Sequence, residues 1–136
     1  MSKSLELTLP SLIDSVDEAA TLAEKFARDN GFGDDVVSAI DLAVRESVAN
    51  AVKHGNEFSA EKSVEVVFMA SADSLEIRIR DFGSGFSVES IPDPTDPNNL
   101  LNVSGRGILF MRSFMDEVEW SNPEGGGTMV RMVKMT

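Results

Sequence analysis

Ser74-Leu75-Glu76-Ile77-Arg78-Ile79-Arg80-Asp81-Phe82-Gly83-Ser84-Gly85-Phe86 changes character part-way along. Leu75, Ile77 and Ile79 alternate with Glu76, Arg78 and Arg80, the period-two pattern of a strand with one buried face. Asp81 continues the parity of the apolar residues, so it puts an acid on the core side where the strand ends. Two readings follow. The carboxylate either caps its own turn, a common arrangement for a strand-end Asp, or accepts a hydrogen bond from a buried ligand amino group. In the second case Gly83 and Gly85 let the backbone approach that ligand closely.

Upstream of this strand, Ser71-Ala72-Asp73-Ser74 reads as a hairpin turn from a strand carrying Val64, Val66 and Phe68. Leu5, Leu7 and Leu9 alternate with polar residues in a first strand closed by Pro10. Ser15 and Glu18 have capping-box spacing, which predicts a helix start at Ser15. Val16, Ala19, Ala20, Ala23, Phe26 and Ala27 follow at helical spacing, and Asn30-Gly31 supplies a stop. A second helix is expected from Asp34 or Asp35 to Gly55, with Val37, Ile40, Val44, Val48 and Ala51 as its apolar stripe.

Downstream, periodicity is lost from Asp81 to Ser104, a stretch holding Pro92, Pro94, Pro97 and Asn98-Asn99. A loop this long in a compact domain is usually functional. Gly107 to Met115 reads as a short helix, Val118 and Trp120 as a strand, Asn122 to Gly127 as a turn, and Met129 to Met135 as a last strand. The order strand, helix, helix, hairpin, loop, short helix, hairpin predicts an α+β two-layer sandwich, with a mixed, mainly antiparallel sheet and helices on one face. It is not the βαβαβ order of a doubly wound domain.

The 136 residues fit one domain, 1–136. Cysteine is absent, which excludes disulfides, a thiol nucleophile and Cys-based metal sites, and the single histidine, His54, cannot build a His-rich cage. Twelve basic against 23 acidic residues give a net charge of −11, which argues against a nucleic-acid or anionic-membrane surface. No stretch of 18 apolar residues or basic-then-apolar leader is present, so a cytoplasmic soluble domain is expected.

Three further clusters carry chemistry. Glu46 and Asn50 lie four apart on one helix face, with His54 four further on. They form either a solvated stripe or one side of a cleft, where Glu46 takes a hydroxyl proton and Asn50 offers a neutral oxygen to Mg²⁺. Ser104-Gly105-Arg106-Gly107 opens the short helix, where free N–H groups can cradle phosphate. Arg106 there either adds a charged contact or faces water. Gly125-Gly126-Gly127-Thr128 enters the last strand as a loose turn or as a ligand wall, with Thr128 in reach of a ligand hydroxyl or water. No Gly-Lys-Ser/Thr follows a glycine cluster, so a Walker P-loop is absent.

Taken in order, Glu46-Ser47-Val48-Ala49-Asn50-Ala51-Val52-Lys53-His54-Gly55, Asp81-Phe82-Gly83-Ser84-Gly85-Phe86, Gly105-Arg106-Gly107-Ile108 and Gly125-Gly126-Gly127-Thr128 resemble the Bergerat-fold (GHKL) ATPases. Within them the chain looks most like the bacterial anti-sigma-factor serine kinases of the RsbW and SpoIIAB type, over nearly its whole length. The resemblance implies ATP and Mg²⁺ as cofactors and Glu46 as the base. It implies Asn50 on the metal and Asp81 on the adenine amino group, with Gly83 and Gly85 shaping the pocket. Gly105, Arg106 and Gly107 would then lie by the phosphates, and Thr128 on the adenine side. The segment 87–104 would be a lid that orders over the nucleotide; it departs from the family in its Pro- and Asn-rich character. The resemblance further implies a serine on a STAS-domain anti-anti-sigma partner as phosphoacceptor, a bound sigma factor and a homodimer. The alternative is a non-catalytic ATP-binding regulatory module with a STAS or other signalling partner.

Overall fold

The architecture is taken from a computed structural model, which describes residues 3–83 and 115–135. Five strands and two helices follow one another as β1 (Lys3–Pro10), α1 (Asp14–Asp29), α2 (Asp34–Asn50), a π-helical turn (Ala51–Gly55), β2 (Ser63–Ala70), β3 (Ser74–Arg80), β4 (Glu117–Ser121) and β5 (Met129–Met135). The strands form one sheet in the order β1-β2-β3-β5-β4. All four described pairings are antiparallel. The α+β expectation therefore holds, and no parallel pair occurs among the described residues.

Register explains which face is buried. Leu7, Val66, Ile79, Val130 and Trp120 stand opposite one another in a row across the sheet, and Leu5, Phe68, Ile77, Met132 and Val118 form the next row. Because side chains alternate along a strand, both rows point to the same face. That face meets α1 and α2 in one apolar cluster. The α1 side of the cluster is built from Ala19, Ala20, Ala23 and Ala27, all buried. Their small side chains let the helix lie close to its neighbours, and Phe26 stacks on Phe68 with ring centroids 5.8 Å apart. The opposite face carries Arg78 and Arg131 among Glu76, Glu117 and Glu119, with Arg131 Nε 2.6 Å from Glu76.

The helix starts and stops are partly those expected. The stripe Val37, Ile40, Val44, Val48 and Ala51 is buried, and Gly31 ends the first helical turnback with φ of +86°. Ser15 does not cap α1. The helix begins one residue earlier, after Ile13, and the Ser15 hydroxyl donates to Pro10 O at 2.7 Å. Ser15 is buried, so its hydroxyl serves the carbonyl of the incoming strand instead of a helix N–H. The second helix is α-helical only as far as Asn50; from Ala51 to Gly55 it widens into a π turn, and Asn56 N–H bonds Ala51 O five residues back at 2.8 Å. No described helix is long and apolar enough to cross a membrane. From residue 84 the expected loop lies outside the described residues, as does the short helix expected over 107–115 apart from Met115, which is buried in the core.

Candidate functional site

Asp81 continues β3 for one further pair. Its N–H donates to Thr128 O at 2.9 Å, so the two residues face each other across the ladder just beyond Arg80 and Met129. Both lie on the helix side of the sheet and both are buried, each with 4% exposure. Asp81 Oδ1 accepts from the N–H of Gly83 at 3.0 Å and of Thr128 at 3.2 Å. The inward parity expected from the sequence is thus what the fold displays. Burial pushes the Asp81 carboxyl above its ordinary range. The two N–H bonds and the positive charges of Lys62 and Arg80 pull the other way without cancelling it.

Glycines make this geometry possible by contact as well as by conformation. A Cβ on Gly55 would lie 2.2 Å from Asp81 Oδ2, and one on Gly83 would lie 1.5 Å from Gly55 O. A Cβ on Gly127 would lie 1.8 Å from Asp81 O, and Gly127 also has φ of +82°. The end of the π turn, the end of β3 and the start of β5 therefore touch at three places, two of them backbone to backbone and one through the Asp81 side chain. Gly126 has φ of +102° but open space around it, whereas a Cβ on Gly125 would meet only the Arg80 guanidinium at 3.2 Å, so in the triple-glycine turn Gly127 alone is packed against backbone. Arg80 braces the same turn, donating to Glu124 O at 3.1 Å and Gly126 O at 3.0 Å while its guanidinium lies 4.6 Å over the Phe82 ring.

A cleft with about 330 Å³ of empty space, part of it open to solvent, lies between α2 and the sheet. Ser47, Asn50, Ala51, Ile79, Asp81, Trp120, Thr128 and Val130 line it. Of the expected site residues it brings together Asn50, Asp81 and Thr128. Gly83 stands beside Asp81 without lining the cleft, packed on Gly55. Glu46, one turn before Asn50, is half-buried and is not among the lining residues; Ser47 takes that place on α2. Gly85, Gly105, Arg106 and Gly107 lie outside the described residues. Among the described residues no group of three or more His, Asp or Glu could hold a metal ion. A divalent cation here would have the Asn50 amide oxygen as its protein ligand, with other oxygens brought by a ligand and water.

Four residues of the site carry no functional signal in the sequence. Ser47 reads as a helix position, Trp120 as a strand marker and Gly55 as a helix stop, and no local pattern marks Asn56. It is 1% exposed, and its Oδ1 accepts from Phe82 N–H at 2.8 Å.

Residues 9–134 match the family described as the histidine kinase-like ATPase domain. The chain belongs to that family. Among curated relatives, an RsbW serine-protein kinase of Listeria monocytogenes is 24% identical over 131 residues, covering 92% of this chain and 83% of the relative. An RsbW serine-protein kinase of Oceanobacillus iheyensis is 27% identical over 136 residues, with 96% and 85% coverage. An anti-sigma F factor of Bacillus thuringiensis is 35% identical over 102 residues, with 72% and 68% coverage. The antiparallel sheet backed by two helices is consistent with the α+β architecture of this family, and these relatives are named as serine-protein kinases or as an anti-sigma factor.

Proposed function

We propose that residues 1–136 form one domain that binds ATP with Mg²⁺ in the cleft and transfers the γ-phosphoryl group to a serine of a STAS-domain anti-anti-sigma protein. On this reading it also binds a sigma factor, acts as a homodimer and works in the cytoplasm. The observation that carries the reading is the buried Asp81 carboxylate at the cleft wall. Its Oδ1 is occupied by two backbone N–H groups, which leaves Oδ2 as an acceptor for an amino group. Adenine presents an amino donor where guanine presents a carbonyl, so an ionised carboxylate selects the first. Ile79, Ala51, Val130 and Trp120 supply apolar walls suited to a flat base.

Asn50 would hold Mg²⁺, which supplies charge neutralisation on the phosphates. In the transfer, the serine Oγ forms a bond to the γ-phosphorus, the bond from that phosphorus to the bridging oxygen breaks, and ADP leaves. The hydroxyl proton goes to Glu46. Gly85, Gly105, Arg106 and Gly107 complete the proposal as pocket and phosphate contacts.

A second reading is a non-catalytic ATP-binding regulatory module. The position of Glu46 outside the cleft lining favours it. Labelled ATP incubated with the purified protein and candidate STAS proteins separates the two. Acid-resistant, alkali-labile label on the partner is expected for the kinase. ATP binding with no transfer to a partner that binds the protein would establish the module.

A further inference from the structure

Asn56 sits where three segments meet. Its Nδ2 donates to Ser11 Oγ at 2.9 Å and to Ser63 O at 3.0 Å, while its Oδ1 accepts from Phe82 N–H at 2.8 Å. Ser11 Oγ in turn donates to Lys62 O at 2.5 Å. Every hydrogen-bonding atom of the Asn56 side chain is used, and the residue is buried. The carboxamide therefore ties the turn after β1 and the start of β2 to the peptide that follows Asp81.

The backbone around Asn56 shows what this tie holds in place. Gly55 and Asn56 lie directly against Gly83, with no room for a Cβ there. The next two residues, Glu57 and Phe58, have φ of 51° and 58°, a left-handed conformation that non-glycine residues seldom adopt. The chain is thus turned sharply after the contact and kept on it. Phe82 N–H has no ladder partner beyond the end of β3, and the Asn56 amide oxygen takes that role.

We infer that Asn56 is a positioning residue for base recognition: by holding Phe82 N–H it fixes the Asp81–Gly83 segment against Gly55, and so fixes where the Asp81 carboxylate presents its second oxygen. This rests on the reading of Asp81 as the acceptor for the adenine amino group. Asn56 itself touches no ligand. Its removal lets the strand end shift without altering the phosphate side of the cleft.

The test compares binding of ATP with that of purine riboside triphosphate, which lacks only the amino group. Phosphate and metal contacts cancel in the ratio. Wild type should prefer ATP by about ten- to a hundredfold, as for a hydrogen bond to a charged acceptor. Asn56→Ala should reduce that preference to within about threefold. Ser11→Ala breaks the other side of the same network, so it should lower the melting temperature while keeping the wild-type ratio. Asn56→Asp keeps the acceptor and loses the donors, so it too should keep the ratio. Should Asn56→Ala not fold, Asn56→Ser, too short to reach Phe82, gives the same reading. A wild-type ratio in the folded Asn56→Ala protein overturns the inference and leaves the Asp81 reading intact. No preference for ATP in the wild type overturns both. Rapid hydrogen exchange of the Phe82 amide in the unliganded wild type overturns it without any variant.

Discussion

The Asp81 carboxylate is held under opposing influences, and both are measurable. Burial raises its pKa above the ordinary value, so the folded protein binds a proton there more readily than the unfolded chain does. The stability it contributes is therefore fully present below the unfolded pKa and is lost as pH rises through the raised value in the fold. Asp81→Asn removes that titration. The variant's stability relative to wild type should grow as pH rises above the ordinary Asp value of about 4, read by denaturant titration at each pH. Its ATP affinity should fall by about ten- to a hundredfold, as when a hydrogen bond to a charged group is lost. Wild-type ATP affinity should itself weaken as pH falls through the same window. The glycines divide into two kinds by the space around them. Gly55→Ala would put a Cβ 2.2 Å from Asp81 Oδ2, so ATP binding should weaken by at least about tenfold. Gly126→Ala meets no atom but must adopt φ of +102°. It should cost about 1 kcal/mol of stability and leave binding unchanged.

Along α2, the α-helix carries Ser47 and Asn50 into the cleft wall with Glu46 one turn before Asn50, and the π turn that follows carries Gly55 onto Asp81. The turn holds one residue more than an α-helical turn, a feature often found at functional sites. Two substitutions separate their roles. Glu46→Gln keeps the shape and removes a base, so single-turnover transfer to the partner should fall by about 10²–10⁴ with ATP affinity little changed. An unaltered rate would remove Glu46 from the chemistry. Asn50→Ala should weaken ATP binding when Mg²⁺ is present and leave binding in EDTA nearly unchanged. Equal losses in both buffers would make Asn50 a structural residue. The sheet behaves more simply. Ile77 is 0% exposed in the middle strand, whereas Arg131 holds an ion-pair network on the solvent face. Truncating the first to Ala should cost about 2–5 kcal/mol.

Among the described residues, one apolar cluster lies between a five-stranded sheet and two helices, with the cleft between α2 and the sheet. A ligand bridging α2 and the sheet stabilises the folded state by mass action. ATP with Mg²⁺ at a hundred times Kd should add about 2.7 kcal/mol, seen as a rise of roughly 10 °C in melting temperature for a domain of this size. Trp120 lines the cleft and is the single tryptophan, in a chain without tyrosine, so its fluorescence should change in step. An unchanged melting temperature and spectrum at saturating nucleotide would reject nucleotide binding in this cleft.

Much of this was written in local pattern. Period-two alternation set which face of β1 and β3 is buried, and with it the inward direction of Asp81. The 3.6-residue stripe from Val37 to Ala51 set the buried face of α2. These follow from residues a few positions apart, because side-chain direction repeats along each element. Other features depend on residues far apart in the chain. Ser15 reads as a helix cap until Pro10 O is found beside it. Gly55 reads as a stop until Asp81 and Gly83 are packed on it. Thr128 meets Asp81 across 47 positions, and Asn56 meets Phe82 across 26. No period or spacing marks such pairs: a buried polar atom takes whichever partner the packed sheet and helices bring within about 3 Å. The sequence by itself determined that an acid would stand inside the end of β3. Which backbone groups hold it, which oxygen it has left, and which asparagine fixes its place were decided by how the strands and the π turn came together.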